Sequence, residues 1–496
     1  MVTLPPVPLA SGARRRLGAT PVEIGDRVLE RLRDACPAVE EGEEARLGAA
    51  RDWWPLSLHW AREGLVPALP GAVARPESTA QVAGVVAICA KHGVPVTVVA
   101  GRSGVCGGAV PAYGGLALDL VGLAGVEEVD VRSLLVRVAA GTFGLDLEGA
   151  LREGHGLTLG HWPQSIQLST VGGWLACRSA GQYSTRYGKI EDMVTGLQVV
   201  LASGQVVETG GRAPRAATGP DLNQLFVGSE GTLGVITKAW LRAHPRPPCE
   251  RMGAWGFAAF DAGLEACRRA LRRGATPAVL RLYDRAEASR HFGAEEDGVL
   301  IALDEGDQLV VEAAMTVLAE ECRAAGGRPL GEGLVRRWLE TRNDVPPLAA
   351  LTEAGIVVDT VEVAGRWSVL AALYHRGTEA LASVEGTVAA SAHLSHAYLD
   401  GACLYFTFAG QGRDDPEWAE GYYRAAWDAI MGATLSSGAA ISHHHGIGLN
   451  RGRFLAAGLG PAFPVLVRLK EALDPAGILN PGKLGLPSRF GPLPWP

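Results

Sequence analysis

Surplus positive charge, paired cysteines and long apolar runs are all missing from this 496-residue chain. Its 46 Lys and Arg face 53 Asp and Glu, a formal net charge of -7. Nucleic-acid binding needs a basic footprint, so no nucleic-acid partner is expected. The eight cysteines stand singly, with no Cys-x-x-Cys pair of the kind that holds zinc or cycles a disulfide. They read as reduced thiols, mostly buried. No apolar stretch reaches the ~20 residues that span a bilayer, so no transmembrane segment is expected. Met1 to Gly18 carries no apolar core ahead of a small-residue cleavage site, and Leu493-Pro494-Trp495-Pro496 is not a peroxisomal address. A cytoplasmic protein is the expectation. Glycine, by contrast, is plentiful: 65 residues, near double the average share of roughly 7%.

The length suggests about three folding units. Val28, Leu29 and Leu32 mark one amphipathic helix in a polar N-terminal region. Ser78 can cap a second helix, with Val82, Val85, Val86 and Cys89 as its apolar stripe and Gly93 as its stop. A β-branched strand, Val94 to Val99, then runs into a glycine-rich loop, Ala100 to Gly108. Helix, strand, loop is the reverse of a Rossmann unit, and no Gly-x-Gly-x-x-Gly opens a helix here. Short strands are expected at Leu116–Leu120, Leu135–Ala140 and Val194–Leu201, the last paired with Gln205–Glu208 across Ser203-Gly204. Pro245, Pro247 and Pro248 mark a boundary. Beyond it, helical periodicities alternate with strands at Val299–Leu303, Ile356–Glu362 and Ala402–Phe408, a separate α+β domain.

The loop Ala100-Gly101-Arg102-Ser103-Gly104 leads into Val105 to Gly108, and its glycines let backbone N–H groups approach an anion closely. A pyrophosphate would fit; a plain tight turn would explain the loop as well. Three more segments mix glycine with small hydroxyl residues. They are Gln164 to Gly173 (Gln164, Ser165, Ser169, Thr170), then Cys177-Arg178-Ser179-Ala180, then Gly228 to Ile236 (Glu230, Gly231, Thr232, Leu233, Gly234, Val235, Ile236). In this order and spacing the four resemble the FAD-binding domain of the vanillyl-alcohol oxidase / p-cresol methylhydroxylase superfamily. Within it the chain is most similar to the alkyldihydroxyacetone-phosphate synthase family, over nearly its whole length. Gly160 to Ser165, Leu280 to Asp284, Asp400 to Phe406 and Ser442 to Gly448 carry that likeness.

The resemblance implies an α+β fold, a two-lobed FAD-binding domain with an α+β cap. It divides the chain into an N-terminal helical region (1–75), the FAD-binding domain (76–248), the cap (249–435) and a C-terminal segment that completes the site (436–496). It also implies noncovalent FAD and a small-molecule or lipid-like substrate, and it leaves room for peripheral membrane contact and a homodimer. The implied reaction exchanges an acyl for an alkyl group through a flavin N5 adduct. The alternative on the same fold is a D-2-hydroxyacid dehydrogenase or oxidase that passes a hydride to flavin, with Arg281 on the carboxylate. A flavin-binding protein without chemistry is the third reading.

Alternation over Ala402–Phe408 puts Leu404, Phe406 and Phe408 on a core face and Cys403, Tyr405 and Thr407 on the other. The strand alone is compatible with a structural Tyr405; the resemblance gives it a role at the substrate's leaving carboxylate. Strand alternation would align His443 with His445 and turn His444 away. Two aligned histidines lack a third ligand, so no metal is expected. The resemblance assigns His443, His444 and His445 polar and proton-transfer roles, and Arg281 a role in activity. Three positions depart from the family pattern: Gln164 replaces an Asp, Arg102 a glycine, and Leu348 the Arg that holds a substrate phosphate. Arg342 is the nearby base that could substitute.

Overall fold

Ser78 starts the first lobe. In the computed structural model, which describes residues 9, 11–211, 213–344, 348–412 and 415–493, its hydroxyl accepts from Gln81 N at 3.2 Å and opens the helix Thr79–His92. Gly93 closes that helix at φ +66°, a left-handed cap that favours glycine. The buried stripe Val82, Val85, Val86 and Cys89 packs with Leu29 and Leu32 of the helix Asp26–Ala35 on one core. Beneath lies a four-stranded sheet of β1 (Val39–Glu40), β2 (Ala72–Ala74), β3 (Val96–Val99) and β4 (Leu116–Asp119), in the order β1-β2-β4-β3. Strands β1 and β2 precede residue 76, so this lobe draws on the expected N-terminal region as well as on residues beyond it. Near the other end of the chain, Leu479 bridges to Val96 and returns the C-terminal segment to the same sheet.

The second lobe is an antiparallel sheet of β5 (Val126–Asp130), β6 (Leu135–Ala139), β7 (Val194–Val200), β8 (Val206–Glu208) and β9 (Val235–Arg242), in the order β8-β7-β9-β6-β5. The hairpin expected across Ser203-Gly204 forms, with Val200 opposite Val206.

The cap is a seven-stranded antiparallel sheet: β10 (Cys249–Phe257), β11 (Val279–Asp284), β12 (Gly298–Gly306), β13 (Arg328–Pro329), β14 (Ile356–Arg366), β15 (Thr387–Ala397) and β16 (Gly401–Gln411). Its order is β13-β10-β12-β11-β15-β16-β14. Strand alternation decides which residues meet the ligand. Leu280, Leu282, Leu404, Phe406 and Phe408 face a helix-covered core with Leu264, Leu318, Leu370 and Tyr423. Arg281, Tyr283, Thr360, His393, Tyr405 and Thr407 point the other way, into a cavity. The expected division of faces in β16 therefore holds, and β14, β15 and β11 extend it. All eight cysteines are free. No helix among the described residues is long and apolar enough to cross a membrane.

Candidate active site

A cavity of about 1130 Å³ runs between the lobes and under the cap. Of the residues expected to hold a flavin, Ala100, Gly101, Arg102, Ser103, Gly104, Gln164, Ser165, Ser169, Thr170, Cys177, Ser179, Ala180, Glu230, Gly231, Gly234, Val235 and Ile236 line it. Arg178, Thr232 and Leu233 do not. Arg178 is the left-handed cap of the helix Val171–Cys177 and pairs with Glu191 at 3.3 Å. Thr232 donates its hydroxyl to Ser229 O at 2.7 Å, and Leu233 is in the core.

The lining suits an elongated anionic ligand. The backbone N–H groups from Gly101 through Gly108 donate to no acceptor among the described residues. A side chain at Gly101 would bring its Cβ to 2.1 Å from Leu168 O, so only glycine lets the loop lie that close. Trp53 Nε1, Arg102 Nε and Asn480 Oδ1 are buried, unbonded and on residues that line the cavity. Buried polar groups without partners are costly, and a polar ligand would satisfy them. Burial pushes the Cys106 and Cys177 thiols well above their usual range, which keeps both protonated beside the ligand.

At the cap end, the Tyr405 ring stacks with His393 at 4.9 Å and with His444 at 6.1 Å, and its hydroxyl donates to Thr360 Oγ1 at 3.0 Å. Burial raises this phenol far above its ordinary value, so it stays a neutral donor near neutral pH. Arg281, on the same face, donates to the Tyr283 hydroxyl at 2.9 Å and to His393 Nε2 at 2.7 Å. His393, pushed down to about 4 chiefly by burial, is a neutral acceptor for that guanidinium.

The histidine run departs from expectation. Residues 443–445 form bends, and 442 and 446 belong to no strand, so adjacent side chains are not driven to opposite faces. His444 and His445 line the cavity. His443 turns to Tyr398, whose hydroxyl lies 3.1 Å from its Nε2, and its Nδ1 lies 2.9 Å from that of His444. The reasoning that a third metal ligand is lacking also fails. His396, Cys403, His443 and His444 bring one ligand atom each within 4.8 Å of one another. Burial lowers His443 to about 4 and takes His396 and His444 well below the normal range, which leaves neutral imidazoles.

Two buried carboxylates hold this loop, and sequence reasoning missed the role of both. Glu362 of β14 accepts from the backbone N–H groups of His443, His444 and His445 at 3.1, 3.1 and 2.8 Å and from Ser442 Oγ at 2.8 Å. It pairs with the fully buried Arg451 and lies 3.2 Å from His445 Nδ1. Arg451 leads the groups that outweigh burial and keep Glu362 well below the usual carboxylate range. Glu230, from the flavin-side loop, accepts from Ile447 N at 2.5 Å and Gly448 N at 2.8 Å. Gly448, at φ +54°, would put a Cβ 2.1 Å from Cys106 O, so glycine is required where the loop meets the flavin side. A charge amid apolar neighbours, Glu362 between Val361 and Val363, was the one signal in the sequence.

Comparison with known proteins agrees with this geometry. The FAD binding domain family matches residues 70–210, and the C-terminal domain family of FAD linked oxidases matches residues 246–484. The uncharacterized FAD-linked oxidoreductase YgcU of Escherichia coli (strain K12) is 32% identical over 436 residues, 84% of this chain and 89% of the relative. Alkyldihydroxyacetonephosphate synthase of Trypanosoma brucei brucei is 28% identical over 476 residues, 88% and 76% of the two chains. The glycolate oxidase subunit GlcD of Bacillus subtilis (strain 168) is 29% identical over 443 residues, 84% and 89%. A solved alkyldihydroxyacetonephosphate synthase superposes with a TM-score of 0.78 at 24% identity, over 97% of this chain and 88% of that one. A p-cresol methylhydroxylase does so at 0.76 and 18%, over 95% and 99%. The chain belongs to the FAD-linked oxidase family, shares its fold with p-cresol methylhydroxylase, and has FAD as its cofactor.

Proposed function

We propose that this enzyme exchanges the acyl group of a ketone-phosphate ester for an alkyl group, as in the synthases that it resembles. In that exchange a C–O bond to a fatty carboxylate breaks, a C–O bond to a long-chain alcohol forms, the fatty acid leaves, and no electrons are gained or lost overall. Bound FAD would supply a nucleophilic or hydride-accepting N5. One observation carries the reading: Tyr405, a neutral buried hydroxyl on β16, stands in the sheet between the strands of Arg281 (β11) and of Ile356 and Val358 (β14), all of which line the cavity. Arg281 and Arg342 furnish cationic lining; Leu348, Leu351, Ile356 and Val358 furnish apolar lining that suits a hydrocarbon chain. Tyr405 then hydrogen-bonds the departing carboxylate, and neutral His444 takes the alcohol proton. The test is to incubate the holoenzyme with acyl-dihydroxyacetone phosphate and a long-chain alcohol and to look for the ether by mass spectrometry. Ether together with free fatty acid is expected; its absence refutes the reading.

A second reading has support of its own. Arg281, which pairs with no carboxylate among the described residues, would also hold the carboxylate of a D-2-hydroxy acid, with His444 accepting the hydroxyl proton. Anaerobic bleaching of the flavin band near ~450 nm by such an acid, without ether formation, would favour it.

A further inference from the structure

Among the described residues the arginines that line the cavity are Arg102, Arg281, Arg290 and Arg342. Arg102 faces Asp119 at 3.5 Å, and Arg290 pairs with Glu287 at 2.6 Å. Neither of the other two forms an ion pair among the described residues, although Glu287 lies 3.6 Å from the far ring nitrogen of His393 and Arg342 attracts Glu305. Arg281, only 9% exposed, bonds a hydroxyl and a neutral imidazole. Arg342, at the end of the helix Gly333–Thr341, reaches among the described residues only the Gln182 side-chain oxygen, at 3.4 Å. It lies over three rings, Tyr183 at 5.0 Å, Trp162 at 5.4 Å and Trp338 at 5.6 Å. The Arg281 guanidinium lies 5.7 Å from the same Trp338 ring. Asp344, two residues on, is exposed and forms an ion pair with neither.

Arginine does not shed its proton, and aromatic faces stabilise the cation without neutralising it. Two such groups on one indole repel each other unless an anion lies between them. The positive charge offered to a ligand is that of two guanidinium groups. A monocarboxylate meets half of it, whereas a phosphate monoester carries roughly -1.5 to -2 near neutral pH and offers three acceptor oxygens to guanidinium forks. We infer that Arg281 and Arg342 form one clamp for the phosphate of a phosphate-monoester substrate, with Trp338 as its floor. This deepens the reading above and rests on it. Arg342 thereby makes good the cation that Leu348, on the wall of the same cavity, does not provide.

The experiment measures binding in the absence of turnover. The FAD-loaded enzyme is titrated calorimetrically with dihydroxyacetone phosphate, uncharged dihydroxyacetone and malate, with no alcohol present. The phosphate ester is expected to bind most tightly. Arg342→Ala should weaken it by about 10–100-fold, as loss of a charge-assisted contact does, and Arg342→Lys should recover part of that. Dihydroxyacetone should bind wild type and variants alike, and flavin absorbance should show that they hold the same FAD. Equal affinity of wild type and Arg342→Ala for the phosphate ester would overturn the clamp, and so would tighter binding of malate. Phosphate-dependent binding without ether formation would sink the proposed reaction and leave the clamp standing. Ether formation at the wild-type rate by Arg342→Ala would do the reverse.

Discussion

Replacing Glu362 with Gln should loosen the histidine loop while barely changing its shape. The side chain is fully buried and accepts from three consecutive backbone N–H groups, a serine hydroxyl and Arg451. Gln can still accept through its oxygen, so much of the N–H network can persist. It cannot neutralise Arg451, which is itself 0% exposed. Breaking a buried pair by removing one charge destabilises by about 3–5 kcal/mol, because the other charge is stranded. At about 2–4 °C per kcal/mol for a domain of this size, the melting temperature should fall on the order of 10 °C. The pH dependence carries the sign. Glu362 has a depressed native pKa, so its stabilisation is complete above the unfolded value, about 4.3, and is lost as the pH falls below that. The gap between wild type and variant should be constant from about pH 7 to 5 and narrow below about 4.3. Thermal unfolding followed by circular dichroism, on FAD-loaded protein across that range, reads both effects. A fall under about 2 °C, or a gap that widens in acid, would refute the view that this pair fastens the loop.

Tyr405→Phe keeps the ring stack and loses one neutral hydrogen bond, so stability should change by no more than about 1 kcal/mol while turnover drops by about 10²-fold. Undiminished turnover would remove Tyr405 from the chemistry. His444→Ala and His445→Ala, which alter cavity-lining side chains, should each reduce turnover by about 10²-fold, and His443→Ala should reduce it less. Steady-state rates with His443 and His445 impaired alike and His444 spared would restore the strand-like reading. FAD should leave the polypeptide on acid precipitation, since the Cys106 and Cys177 thiols are held protonated. Yellow colour in the washed pellet would contradict this.

Local patterns were legible wherever one residue's neighbours decide its conformation. Ser78 and Gly93 announced both ends of a helix, and Leu404, Phe406 and Phe408 announced which way Tyr405 points. Glycine clusters likewise marked loops that must pass close to another backbone, as Gly101 does beside Leu168. Arg281, which the resemblance singled out, obeys the same logic: a charge on a strand with an apolar face emerges on the other one. Arg178, Thr232 and Leu233 show where this stops: they sit within flavin-side motifs, but a helix cap, a local hydroxyl bond and the core claim their side chains.

The histidine loop was illegible for a different reason. Its shape is dictated by Glu362, 81 residues before His443, and by Glu230, 217 residues before Ile447. One carboxylate belongs to the cap and the other to the flavin side, and between them they satisfy the N–H groups of five of the six residues from His443 to Gly448. A segment with nearly all its donors taken by distant acceptors has no reason to adopt strand or helix geometry, so no local period can report it. The same bonds explain why buried carboxylates, expensive in isolation, are tolerated here: each is met by several donors at once. The loop is therefore a tie between cap and flavin domain. A change that weakens either anchor should disturb the placement of His444 and His445 in the cavity before it disturbs either sheet. In Glu362→Gln, turnover should accordingly be lost at temperatures where circular dichroism still reports a folded cap. Loss of activity and of secondary structure together, in one transition, would show that the anchor serves the fold alone.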